Sequence, residues 1–152
     1  MIGFHETMYG EFWNLDPKDR NRQGRFDFTV DAMARLSEFV NPAGTKFMQT
    51  HLEGIVTMEG LCEEAQVMDG SLVLFKDMKL AYGFKFMTER GLMHYRGNKF
   101  LSLKHPLKSM TTLYGEITGD IVHQEYKNQA LSFFRMSDLP AFMLSFVQSA
   151  RF

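Results

Sequence analysis

The stretch Leu80-Ala81-Tyr82-Gly83-Phe84-Lys85-Phe86, continuing through Glu89-Arg90-Gly91 to Thr111-Thr112-Leu113-Tyr114-Gly115, decides how this chain folds. Leu80, Tyr82, Phe84 and Phe86 fall on one side of an alternating run, and Lys79, Ala81, Gly83 and Lys85 on the other. A period of two with one apolar side is the pattern of a strand that buries a single face. Glu89-Arg90-Gly91 interrupts the alternation and a second extended run follows from Leu92 to Leu103. The break reads as a hairpin loop in which Gly91 can take a positive φ. Beyond a loop around His105-Pro106, a third run covers Met110 to Thr118. The middle of the protein therefore reads as an antiparallel meander.

Toward the N-terminus, Lys46 to Met58 is the longest strand candidate. Met48, Leu52, Val56 and Met58 share one face opposite Gln49, His51 and Glu53, and Gly54 marks a bulge or bend. Asp69-Gly70 is a tight-turn signal that would pair Ala65–Met68 with Ser71–Phe75. Phe26, Phe28 and Val30 alternate with Arg25, Asp27 and Thr29 as a half-buried strand. Asp31 can then cap a short helix near 31–40 built on Met33, Leu36 and Val40, although Leu36, Glu38 and Val40 also fit extended chain. Phe4 to Trp13 is a candidate first strand, and the charged, turn-forming run 14–25 reads as an exposed loop.

Toward the C-terminus, Thr118-Gly119-Asp120 predicts a turn, with further strands over Ile121–Tyr126 and Ala130–Met136. Ser137-Asp138 offers a cap and Pro140 suits a first helical turn. Leu139, Phe142, Met143, Phe146, Val147 and Ala150 then recur at helical spacing, predicting a C-terminal amphipathic helix near 139–150. Its polar face lacks the Lys/Arg cluster of a membrane-surface helix. About eight to ten short strands without a βαβ rhythm predict a mainly β fold, an antiparallel meander closing into a lipocalin-like β-barrel. The 152 residues suit a single domain, 1–152, with a substantial core.

Composition narrows the function. Seventeen basic residues nearly balance eighteen acidic ones, which offers no large positive field to a phosphate backbone and argues against nucleic-acid binding. Cys62, the one cysteine, has no Cys partner for a disulfide or a metal pair and reads as a buried thiol. No stretch is long and apolar enough for a membrane span, and Met1 to Glu6 does not read as a signal segment, so a soluble, cytoplasmic protein is expected. No Gly-rich phosphate loop is present, so no cofactor is expected on this polypeptide.

Catalytic motifs are equally scarce. The histidines, His5, His51, His94, His105 and His123, lack metal-ligand spacing. Adjacent strands could still bring His51 and His94 together, but no metal site is assigned. No nucleophile elbow occurs. His5 and Glu6, neighbours on a strand, point to opposite faces.

Fifteen Phe and twelve Met supply a bulky apolar interior. Barrels of about eight strands hold packed side chains or one small ligand. The candidate ligand-binding residues are Tyr82, Phe84, Phe86 and Tyr95, with Arg96, Lys99, Thr112 and Tyr114 as converging polar groups on an apolar wall. Alternation allows only one of Thr111 and Thr112 to face inward, and Lys99 taken alone would more commonly face solvent.

The phrases Glu6-Thr7-Met8-Tyr9-Gly10, Leu52-Glu53-Gly54-Ile55-Val56, Gly70-Ser71-Leu72-Val73-Leu74-Phe75, Met78-Lys79-Leu80-Ala81-Tyr82, Gly97-Asn98-Lys99, Thr111-Thr112-Leu113-Tyr114 and Phe133-Phe134-Arg135-Met136 occur in that order. Order and spacing resemble the accessory β domain carried by some bacterial glucose–methanol–choline oxidoreductases of the cholesterol-oxidase-like type. The resemblance implies a non-catalytic module that accompanies a flavoenzyme acting on lipid-like alcohols or steroids. The leading expectation is thus a barrel that binds a small apolar, lipid- or steroid-like molecule without transforming it. The alternatives are a module that docks a flavin-dependent oxidoreductase or forms a homodimer, and an enzyme with a scattered His/Glu/Tyr site.

Overall fold

A computed structural model describes residues 1–14, 23–74, 77–121 and 124–138. The chain forms nine strands: β1 (Ile2–Asn14), β2 (Gln23–Ala34), β3 (Gln49–Met58), β4 (Cys62–Gln66), β5 (Met68–Leu74), β6 (Lys79–Thr88), β7 (Gly91–Phe100), β8 (Thr112–Ile121) and β9 (Gln124–Phe134). Every pairing is antiparallel, and β2 pairs with β3 as well as β1, which closes the sheet. β4 and β5 lie end to end along β3, so the wall is a closed eight-stranded barrel. Closure leaves the wall without the long unpaired edge that would invite other chains to add strands.

The inner face follows from alternation. Phe26, Phe28, Val30 and Ala32 on β2, Tyr82, Phe84 and Phe86 on β6, and Met93 and Tyr95 on β7 are all buried. The β6–β7 hairpin closes with Thr88 opposite Gly91, so the turn is Glu89-Arg90 with Gly91 at φ 119°. At Gly54, opposite Val30 on β2, a Cβ would collide with the carbonyl oxygen of Thr29. This close approach of β2 and β3 is the reason a glycine stands in the middle of the longest predicted strand.

Several local expectations change. Asp69-Gly70 does not make a hairpin. Instead Ile55 pairs with Gln66 and Leu52 with Gly70, so one interrupted strand follows β3 along its length, with Asp69 at φ 48° where the register slips. Asp tolerates the left-handed region in a bulge as readily as in a turn. The helix expected near 31–40 reduces to α1 (Leu36–Phe39), because β2 runs on through Asp31 to Ala34 against β1 and β3. Cross-strand hydrogen bonds on both sides outweigh one capping carboxylate.

The run from Met110 splits. Pro106–Thr111 form a short helix, α2, and extended chain begins only at Thr112. Thr118-Gly119-Asp120 stays inside β8, which pairs with β9 as far as Ile121–Gln124, so Ile121–Tyr126 is not a separate strand. Within the expected loop 14–25, Asn14 and residues 23–25 belong to β1 and β2, while 15–22 lie outside the described residues. The helix expected near 139–150 also lies outside them.

Candidate functional site

The lumen is built from rings. Tyr95 stacks between Phe26 and Phe84, with centroids 5.2 and 4.9 Å away. Phe28 meets Phe84 edge-on at 5.3 Å, and Phe86 touches both Phe84 and Phe26. Offset-stacked and edge-to-face arrangements align ring quadrupoles favourably and fix the rotamers. Space for the Tyr95 ring comes from two glycines: a Cβ at Gly97 or at Gly115 would collide with it. Those glycines face each other across β7 and β8, and Ala130 of β9 comes next in the same row.

At the barrel end that carries α1 and α2, an ion pair crosses the lumen. Lys99 Nζ on β7 lies 2.8 Å from Glu6 Oε2 on β1, both side chains only 4% exposed. Tyr82 Oη on β6 donates to Glu6 Oε1 at 2.6 Å, and Lys99 Nζ sits 5.1 Å from the Tyr82 ring centroid. Burial, then the neighbouring Glu6 charge and hydrogen bond, push the Tyr82 phenol well above its ordinary pKa. Burial also raises that of Tyr95. Lys99, which alone would suit solvent, is thus drawn inward by Glu6 and Tyr82.

A second polar set lies along β9. Asn128 and Ser132 flank Ala130 on the inner face, and both are fully buried. The two amide atoms of Asn128, Ser132 Oγ and Tyr95 Oη have no hydrogen-bond partner among the described residues.

The candidate residues therefore divide. Tyr82, Phe84, Phe86, Tyr95 and Lys99 converge in the lumen. Arg96 and Tyr114 do not: both are exposed on the outer wall, where Arg96 stands opposite Glu116 and Tyr114 opposite Asn98. Thr112 shares the outer face with Tyr114 and is covered from outside, while Leu113 takes the inward position. Starting the strand at Thr112 rather than Met110 leaves alternation intact, but its phase puts the threonine and tyrosine out. Glu6, Asn128 and Ser132 were missed. Glu6 was findable, since it shares alternation with Met8 and Phe12 and so stands on the apolar side of β1.

His5 faces out and its Nδ1 lies 2.7 Å from Asp31, on the side opposite Glu6. His51 sits on β3 beside Glu53, and β5 and β6 separate it from His94 on β7. Among the described residues no group of three or more His, Cys, Asp or Glu side chains is arranged to hold a metal. Cys62 is half-buried, its Sγ donates to the Val56 carbonyl at 3.8 Å, and burial raises its pKa. No helix among the described residues is long and apolar enough to cross a membrane. No family model, no curated protein and no solved structure matches this chain.

Proposed function

We propose that the barrel binds a small, largely apolar molecule carrying a polar group, and does not transform it. The observation that carries this reading is the set of four unpartnered polar atoms on Tyr95, Asn128 and Ser132. Each such atom costs about 1–3 kcal/mol when buried without a partner. An occupant offering both a donor and an acceptor offsets that cost while its apolar part lies against the rings. The rings meet through the centre and Tyr95 fills the space beside Gly97 and Gly115, so an occupant has little width beside them. This favours a single-ring or short-chain molecule over one the size of a steroid. Glu6 and Lys99 neutralise each other across the lumen.

Native mass spectrometry and solvent extraction of the purified protein test the proposal. Retention of a small organic molecule, or saturable uptake of a single-ring alcohol that Ser132→Leu abolishes, is the expected result. An interior that holds only water and takes up no such probe ends it.

A second reading, docking to a flavin-dependent oxidoreductase as the resemblance implies or to a second copy, draws on the outer wall of β1 and β9. Tyr9, Trp13, Leu131 and Phe133 line a groove there, and Arg135 lies 3.5 Å over the Tyr9 ring. Aromatic and Arg side chains of this kind are enriched at interfaces. Light scattering and pull-down with wild type and Phe133→Glu test it; a monomer that captures no flavoprotein removes this reading.

A further inference from the structure

We infer that the connection between β7 and β8 is a contact surface for an anionic lipid membrane. From Arg90 to Gly115 the chain carries Arg90, Arg96, Lys99, Lys104 and Lys108 and not one Asp or Glu. Lys99 is consumed by Glu6 inside the barrel, and Arg96 faces Glu116. Lys104 and Lys108, both exposed, have no acidic side chain within ion-pair distance among the described residues. The nearest acidic residue along the adjoining turn is Asp77, beside Met78, whose carbonyl accepts from Leu101 N. The surface is therefore basic at its tip.

It is also apolar where a soluble loop would be polar. Leu103 is 90% exposed, and Phe100, Met110 and Tyr114 are each more than half exposed. The rings of Phe100 and Tyr114 lie 6.3 Å apart, and with His105, Lys108, Ser109 and Thr112 they line a groove of about 380 Å³. Isolated apolar side chains on a surface are ordinary, but four along one basic connection, two of them lining its groove, mark a contact site. Apolar and tyrosine side chains that enter the boundary of headgroups and acyl chains, and lysines against anionic lipid, are the two signals that together hold a protein at a bilayer surface. An acidic protein partner would use the lysines but gain less from a leucine standing clear at a loop tip. The inference rests on the outer surface alone and does not depend on the lumen being filled.

The test is flotation of the 152-residue chain with vesicles of phosphatidylcholine alone, and of phosphatidylcholine mixed with phosphatidylglycerol. Binding to the mixed vesicles, at least tenfold tighter than to the neutral ones and weakened by salt, is expected. Lys104→Gln with Lys108→Gln should lower that affinity about twenty-five-fold, at about fivefold per lysine. Leu103→Asp should abolish it. All three side chains are exposed, so an unchanged thermal transition verifies that each variant is folded. Equal binding to both vesicle types, binding to neither, or undiminished binding by the variants overturns the inference.

Discussion

Lys99 Nζ and Glu6 Oε2 are 2.8 Å apart although β8 and β9 stand between their strands in the wall, so the pair spans the lumen rather than bridging neighbours. Removing one partner leaves a buried charge uncompensated. Lys99→Met should therefore cost about 3–5 kcal/mol. Adding Glu6→Gln, which keeps an oxygen to accept from Tyr82, should recover most of that loss. Urea titration of the two single variants and the double measures it, and additive losses would show that the two charges are not coupled.

Tyr95→Phe separates an empty lumen from a filled one. In ligand-free protein it removes an unpartnered hydroxyl and should raise stability by about 1 kcal/mol while leaving the ring stack intact. If a bound molecule uses that hydroxyl, the same change weakens its retention. Thermal denaturation before and after solvent extraction reads both effects.

Gly115→Ala should be costly despite its small size. The new methyl would meet the Tyr95 ring, which Phe26 and Phe84 hold from either side and which cannot step away. Overpacking of this kind costs about 1–3 kcal/mol. The near-ultraviolet circular dichroism of the stack should change with it, and an unperturbed spectrum at native stability would contradict the packing described.

Alkali should unfold the protein by a defined route. Tyr82 and Tyr95 have folded pKa values raised above the ordinary phenol range by burial and by Glu6. The unfolded chain therefore loses these protons first. Their contribution to stability is complete below about pH 10 and declines as pH rises beyond it, by up to about 1.4 kcal/mol per pH unit for each tyrosine. Ultraviolet difference spectra should show these two residues ionising together with loss of fold. Their titration within a still-folded protein would contradict it.

Alternation along a strand is local, so the sequence alone determined which faces of β2, β3 and β6 turn inward, with Phe26, Phe28, Tyr82, Phe84 and Phe86 in the core, while on β7 it did not separate Tyr95 from Arg96. A one-residue slip of register turns a following segment to the other face, and pairing on both sides decided where it fell: Asp69-Gly70 became a bulge, and Asp31 stayed in a strand. Which face of β8 turns inward is likewise not written locally: Leu113 and Ile117 take the lumen, and that phase puts Thr112 and Tyr114 on the outer wall. Only closure of the barrel decided the rest. Which side chains meet across the lumen depends on how the whole sheet curls and shears, and that brought Glu6 to Lys99 and Tyr82 over 93 and 76 residues of chain.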